Sequence, residues 1–428
     1  MEIQASTVTD TQQPAMRRYL VVLAGTISLV SMLAVLLVIV VDPMDYLGSL
    51  PVPRLDIHRY MDDRSRLSKS LRLASGNYEV VIAGSSRTEV GIDPHHPLFE
   101  NRPAYNAALT ATNIYELEQV LTYALEQKPL QRLVWGLDFL TFSDRRLVGE
   151  DYYESPFSGN KYTWMLEYLL NSGTLKQSMK TLKANWQHDR SVYRDKDGFR
   201  DKDGFRDKTG TRVDHRELFT TILTRNFLVQ PETYGDFNYS QDRLERFRRI
   251  LELYAGKGVQ MNLFISPVHA RQLEAIRALG LWPVYEQWKR DLVQAVDGIR
   301  RDHGDLITLW DFSGYNSITT ETVPAAGSDA EMHWYWESSH YKKELGTMLV
   351  NRMLGEPGES GAPADFGIEL NSENLPAWLE QTRSDREEYA RASAAEIEDV
   401  TRLAEQTQDI REQRRAEIGT FEPVDAPF

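Results

Sequence analysis

Ser85 and Ser86 follow directly on Val80-Val81-Ile82-Ala83-Gly84, and Arg87 comes next. A β-branched run ending at glycine is the pattern of a buried parallel strand closing in a tight turn. Open α/β sheets bind ligands at the carboxyl edge of their strands, so this spacing puts a serine hydroxyl at a place suited to chemistry. Such a hydroxyl is a weak nucleophile unless a base takes its proton, and the base needs a partner that fixes its tautomer. Glu337-x-x-His340 offers that pair far along the chain, with His340 as base and Glu337 as its orienter. Other polar residues stand at expected strand ends: Asn106, Asp138 within Gly136-Leu137-Asp138-Phe139, and His269 within Ser266-Pro267-Val268-His269. His269 is a candidate for lining a substrate cleft at the same edge. His333 and Glu337 have an i, i+4 spacing, but with no third ligand evident neither a metal nor a cofactor is expected.

The elements that must position these residues read as alternating strands and helices. Strands are expected over 79–83, 104–106, 130–137, 260–266 and 306–312. Asn113-Ile114-Tyr115-Glu116 has the form of a capping box, and Ile114, Leu117, Val120, Leu121, Ala124 and Leu125 share one helical face behind it. Short connections of this kind imply a parallel sheet with right-handed crossovers. The last core helix is expected to start near His340. An insertion over about 143–241 interrupts the alternation, with an apolar helix over 164–170 and a tandem repeat, Asp-Lys-Asp-Gly-Phe-Arg, over 195–212. The repeat suggests a calcium loop, but Arg206 stands where an EF-hand needs its bidentate glutamate, so a duplicated exposed turn is the better reading. Residues 355–375 read as a linker and 376–428 as a charged helical tail, either a surface helix or an interaction arm.

Arg17 and Arg18 precede 19–41, which holds no charged residue, and Asp42, Pro43 and Asp45 follow. That length suits a retained transmembrane signal anchor through residues 19–41. The arginines put the leader 1–18 in the cytoplasm and the chain beyond Asp42 on the exoplasmic side, with 42–77 as a juxtamembrane linker and helix. For a bacterial chain this means a single pass of the inner membrane with a periplasmic or extracellular C-terminal domain. A net charge of −14 argues against a nucleic-acid partner, and the absence of cysteine excludes disulfides and thiolate chemistry.

The order of these blocks resembles the SGNH (GDSL-like) hydrolase and acyltransferase superfamily over 78–354, the insertion apart. Gly84-Ser85-Ser86 corresponds to the Gly-Asp-Ser block and Glu337-Ser338-Ser339-His340 to the Asp-x-x-His block, each with one substitution. The likeness is to the membrane-anchored branch typified by DltD and the alginate acetylation proteins. It implies a three-layer, flavodoxin-like α/β domain with a parallel five-stranded sheet, and a Ser86, His340, Glu337 triad. The oxyanion site is then expected from the Ser86 amide and Asn106; Ser85 is read as the turn residue beside it and Arg87 as an anion or carboxylate contact, and with His269 they form the expected substrate-binding set. Two blocks depart from the family: Ala108 stands where a glycine is expected, and Asp138 stands near the usual place of an oxyanion-stabilising asparagine. The implied activity is O-acyl transfer or ester hydrolysis on an envelope or exported polysaccharide, with a multi-spanning membrane acyltransferase as partner. The alternative is a non-catalytic scaffold that binds glycan.

Overall fold

The computed structural model describes residues 13–47, 55, 64–99, 102–159, 163–187, 214–356, 358 and 360–418. The 195–212 repeat lies outside them. In chain order the elements are α1 (Gln13–Val41), α2 (Ser65–Ser75), β1 (Val80–Ala83), α3 (Ser86–Gly91), β2 (Ala104–Asn106), α4 (Ile114–Gln127) and β3 (Arg132–Leu137). The insertion holds α5 (Thr163–Leu170), α6 (Ser172–Gln187) and α7 (His215–Ile222). There follow α8 (Gln241–Ala255), β4 (Gln260–Ile265), α9 (Ala270–Ala278), α10 (Trp282–His303), β5 (Ile307–Asp311), α11 (Lys343–Leu354), β6 (Ile368–Glu369), α12 (Leu375–Ala392), α13 (Ala394–Gln406) and α14 (Gln408–Ile418). Two compact units form: one takes α1, α5 and α6, and the other takes everything else named here.

In the smaller unit, the 27 residues Ala15–Val41 make a helix long and apolar enough to cross a membrane. Asp42 terminates it, accepting the Tyr46 N–H at 2.9 Å and the Tyr168 hydroxyl at 2.6 Å.

The larger unit is built on a mixed sheet of order β2-β1-β3-β4-β5-β6. Strands β1 to β5 run parallel, while β6 pairs antiparallel with β5 through Trp310↔Glu369 and Asp311↔Ile368. The expected flavodoxin-like sheet of five purely parallel strands is therefore incorrect. A sixth strand lies inside the stretch read as linker. Two residues are too short to show alternation, and they follow a segment rich in glycine and proline, so periodicity could not find them. Pairing with β6 covers part of the edge that β5 would otherwise expose.

Both faces of the sheet are covered, which is why β1 is apolar throughout and wholly buried. Val81, Ala83, Leu133 and Trp135 share one core with residues of α4, α8 and α10, while Val80, Ile82, Val134 and Phe264 share the other with α11. The chain leaves β1 outward for β2 and returns past it to β3. The carboxyl ends of β1 and β3 thus flank the point where strand order reverses.

Helix α3 at that point is pressed against α11 without room for side chains. A Cβ built on Gly346 would fall 1.7 Å from the Gly91 carbonyl oxygen, and one on Gly91 would fall 1.9 Å from the Tyr341 ring. Gly346→Ala is expected to force the two helices apart and cost on the order of 1–3 kcal/mol, read as a shift in the urea midpoint. An unchanged midpoint would show that the helices are not held so closely.

The tail is docked on this unit. Val400, Leu403 and Ala404 enter the main core, and Trp378 donates to Asp311 at 2.8 Å. Buried Arg271 binds Glu396 and Asp399, and Arg386 pairs with Glu274 at 3.0 Å. The Glu396 and Asp399 carboxyls sit below their ordinary range: burial alone would raise them, but Arg216 and Arg271 outweigh it at Glu396, and Arg271 and Arg402 at Asp399. A carboxyl lowered on folding stabilises the fold above its unfolded pKa of about 4, and that contribution fades as pH falls through the folded value. Protease cleavage within 375–418 should therefore rise as the protein is taken below about pH 4. Equal protection at about pH 3 and pH 7 would contradict it.

Candidate functional site

Gly84 turns the chain out of β1 at φ +148°, and a Cβ there would lie 2.3 Å from Thr88 Oγ1 and 2.9 Å from the Gly136 carbonyl oxygen. Only glycine makes that turn without strain. Ser85 follows in an extended conformation and caps α3, its hydroxyl oxygen accepting the Arg87 N–H at 3.3 Å. Ser86 is thereby placed at the first position of the helix, half-exposed at the carboxyl edge of the sheet. Its Oγ lies 2.8 Å from His340 Nε2, and His340 Nδ1 is in a short hydrogen bond with Glu337 Oε1. With Nδ1 carrying the proton that the carboxylate accepts, Nε2 is left to accept the proton of the Ser86 hydroxyl.

The histidine stands in a loop closed by antiparallel pairing of Tyr335 with Tyr341, by Trp336 N–H to His340 O at 3.0 Å, and by Lys342 N–H to Trp334 O at 2.7 Å. Helix α11 starts only at Lys343, so the expected helix start near His340 is displaced. The reason is local: the Glu337 carboxylate accepts the backbone N–H of Ser339 at 2.8 Å and of His340 at 2.9 Å, satisfying in a turn the donors that a helix start would expose. Glu337 is fully buried. Burial alone would raise its pKa, but His340 and these two N–H groups hold it below the ordinary carboxylate range, hence ionised. The loop is fastened to the end of β4 by His269 N–H to Ser338 O at 3.1 Å and by the Tyr335 hydroxyl to Pro267 O at 3.0 Å.

A second cluster holds the serine turn from behind. The Ser85 hydroxyl donates to Asp138 at 2.5 Å, while Arg87 pairs with Asp138 at 2.6 Å and donates through Nε to Ser339 at 2.9 Å. Ser85 and Arg87, expected near the substrate, are thus buried and connect the serine turn to the histidine loop. Burial works against the Arg87 charge, but Asp138 and Tyr234 more than offset it and hold its pKa above the ordinary value. Arg146 nearby is pushed down to about 10, by burial first and then by the Arg87 charge.

Asn106 is fully buried, with its carboxamide N–H groups donated to the carbonyls of Ile92 at 2.9 Å and Thr88 at 3.2 Å. Its oxygen accepts the Ala108 N–H at 3.1 Å. In this arrangement it braces α3 and has no proton to spare for an oxyanion. Lys69, also buried, adds to the brace by pairing with Glu89 of α3 at 3.0 Å and donating to Asn106 O at 3.0 Å. The backbone N–H of Ser86, at a helix start where no intrahelical acceptor exists, is the donor beside the Ser86 hydroxyl.

No family model matches the chain, and no curated protein matches it either.

His269, read as a cleft residue, is buried and spends both ring nitrogens on the fold. Nδ1 accepts the Arg271 N–H at 3.2 Å as the cap of α9, and Nε2 lies 2.7 Å from Glu321 O. Burial pushes its pKa down to about 4, so the ring is neutral. Among the described residues no group of three or more His, Asp or Glu is arranged to hold a metal. Asp138, which the sequence shows at a strand end without giving it a role, and Ser339, which nothing in the sequence singles out, are the organising residues. The signal for Asp138 was its place at the end of a strand beside β1. Ser339 carried none beyond lying between Glu337 and His340.

Proposed function

We propose that this protein is a membrane-tethered exoplasmic O-acyltransferase or esterase acting on a cell-envelope or exported polysaccharide. The observation that carries the reading is the 2.8 Å contact between Ser86 Oγ and His340 Nε2, with the imidazole held from its other side by buried, ionised Glu337. Ser86 Oγ attacks the acyl carbonyl carbon as its proton passes to His340, and the oxyanion forms against the Ser86 N–H. Collapse breaks the ester bond, and His340 returns the proton to the leaving alcohol. A sugar hydroxyl or a water, deprotonated in turn by His340, then takes the acyl group from Ser86. Half-buried Trp334 and Trp336 flank the histidine loop and offer faces on which a sugar ring stacks.

The resemblance to SGNH proteins supplies the glycan acceptor, the periplasmic or extracellular address and a multi-spanning acyltransferase as partner. The arginine pair near the start of α1, ahead of its uncharged stretch, and the acidic residues after it support the same orientation. The test is hydrolysis of p-nitrophenyl acetate by the full chain in detergent beside His340→Ala. Loss of turnover in the variant is expected, and equal rates would sink the enzymatic reading. A second reading, a glycan-binding scaffold without turnover, is favoured by one observation: the Asn106 amide is committed to α3. Saturable binding of an acetylated polysaccharide with no acetate released by wild type would decide for it.

A further inference from the structure

The insertion helices α5 and α6 pack against α1, and how they do so bears on what surrounds them. Residues 19–33 of α1 are exposed, while from residue 34 onward one side of the helix is covered. At 1.5 Å per residue the exposed stretch spans only about 22 Å, short of the roughly 30 Å of a hydrocarbon core. The rest of the span has to come from the stretch that α5 and α6 cover, so those helices share its depth.

Their surfaces fit that position. Tyr168 turns inward to Asp42, and its ring packs at a tilt against Tyr46, 4.8 Å between ring centres. Leu166 and Leu170, on other sides of α5, are 66% and 69% exposed. Helix α6 has three faces. Thr174, Ser178, Thr181, Ala184 and Asn185 are buried, a set of small residues of the kind that lets helices approach closely in membranes. Leu175, Met179, Leu182 and Trp186 recur at i, i+4, i+7 and i+11 along one edge, with Met179 62% and Trp186 87% exposed. Beside that edge run exposed Lys176, Lys180 and Lys183. An apolar edge carrying tryptophan next to a lysine stripe is the pattern of a helix lying at a lipid interface, its cations at the level of the headgroups.

We propose that α5 and α6 are a lipid-embedded platform: their exposed apolar residues enter the outer leaflet beside α1, and the lysines of α6 meet anionic headgroups. The proposal rests on reading α1 as a membrane span, and its test separates the two. Because the chain has no cysteine, single variants Val30→Cys, Leu166→Cys, Met179→Cys and Ser384→Cys each carry one spin label. The full chain is reconstituted in vesicles of phosphatidylcholine and phosphatidylglycerol, and collision of each label with oxygen and with a water-soluble nickel chelate is measured. Relative to exposed Ser384 on α12, the ratio of oxygen to nickel collisions should be several-fold higher at Leu166 and Met179, as at Val30. A lipid-like ratio at Val30 with water-like ratios at Leu166 and Met179 would overturn the platform and leave the anchor standing. Water-like ratios at all three would overturn both.

Discussion

Ser86→Ala is expected to lower turnover of an acetyl ester by on the order of 10^4- to 10^6-fold, with KM little changed. In the proposed mechanism the hydroxyl is the one group that forms a bond to the substrate, and its removal leaves only binding and the backbone donor to act. His340→Ala should cost about as much, because serine and base act as a unit, and the double variant should be hardly worse than either single one. Glu337→Gln should fall on the order of 10^4-fold by losing control of the tautomer. It should also be less stable, since the ionised carboxylate accepts two backbone N–H groups in a fully buried turn. Steady-state kinetics on the purified full chain checks all four. Near wild-type turnover in Ser86→Ala would remove the serine from the chemistry.

Asp138→Ala should destabilise the larger unit by about 3–5 kcal/mol, the range for leaving a buried ion without its partner. Arg87 is 3% exposed, and its Nη1 lies 2.6 Å from Asp138. Arg146 adds like charge nearby. The same change frees the Ser85 hydroxyl and, through Arg87, slackens the tie to Ser339, so activity should fall along with stability. Pairing the change with Arg87→Met should restore part of the loss, because two matched apolar groups are tolerated better than one orphaned charge. Urea unfolding measures each variant, and a loss under about 1 kcal/mol for Asp138→Ala would show the pair to be dispensable.

Much of this arrangement was legible in the sequence, for identifiable reasons. The apolar runs of β1, β3 and β4 are buried on both faces, which leaves a signal that one-sided strands do not, while β5 alternates buried and half-buried positions. Gly84 and the two serines announced a tight turn at a strand end, and the three-residue spacing of Glu337 and His340 announced a shared cleft. What could not be read depended on contacts far apart along the chain. β6 is two residues defined by its neighbour β5. Asn106 and His269 are polar residues at the expected edge, yet their donors and acceptors are taken by α3, α9 and the carbonyl of Glu321. Ser85 and Arg87 look like substrate contacts by position, and Asp138 recruits both. The tail was ambiguous because its apolar seam is sparse, and its docking depends on arginine pairs with Glu274, Glu396 and Asp399.

The central claim is that Ser86 is an activated nucleophile, and covalent capture tests it most directly. The full chain in detergent is treated with a fluorophosphonate, which modifies a serine only when a neighbouring base makes its oxygen reactive, and the adduct is located by peptide mass. One adduct per chain is expected, on the peptide containing Ser86, absent from Ser86→Ala and strongly slowed in His340→Ala. No adduct on wild type, or an adduct that persists in Ser86→Ala, would contradict the account.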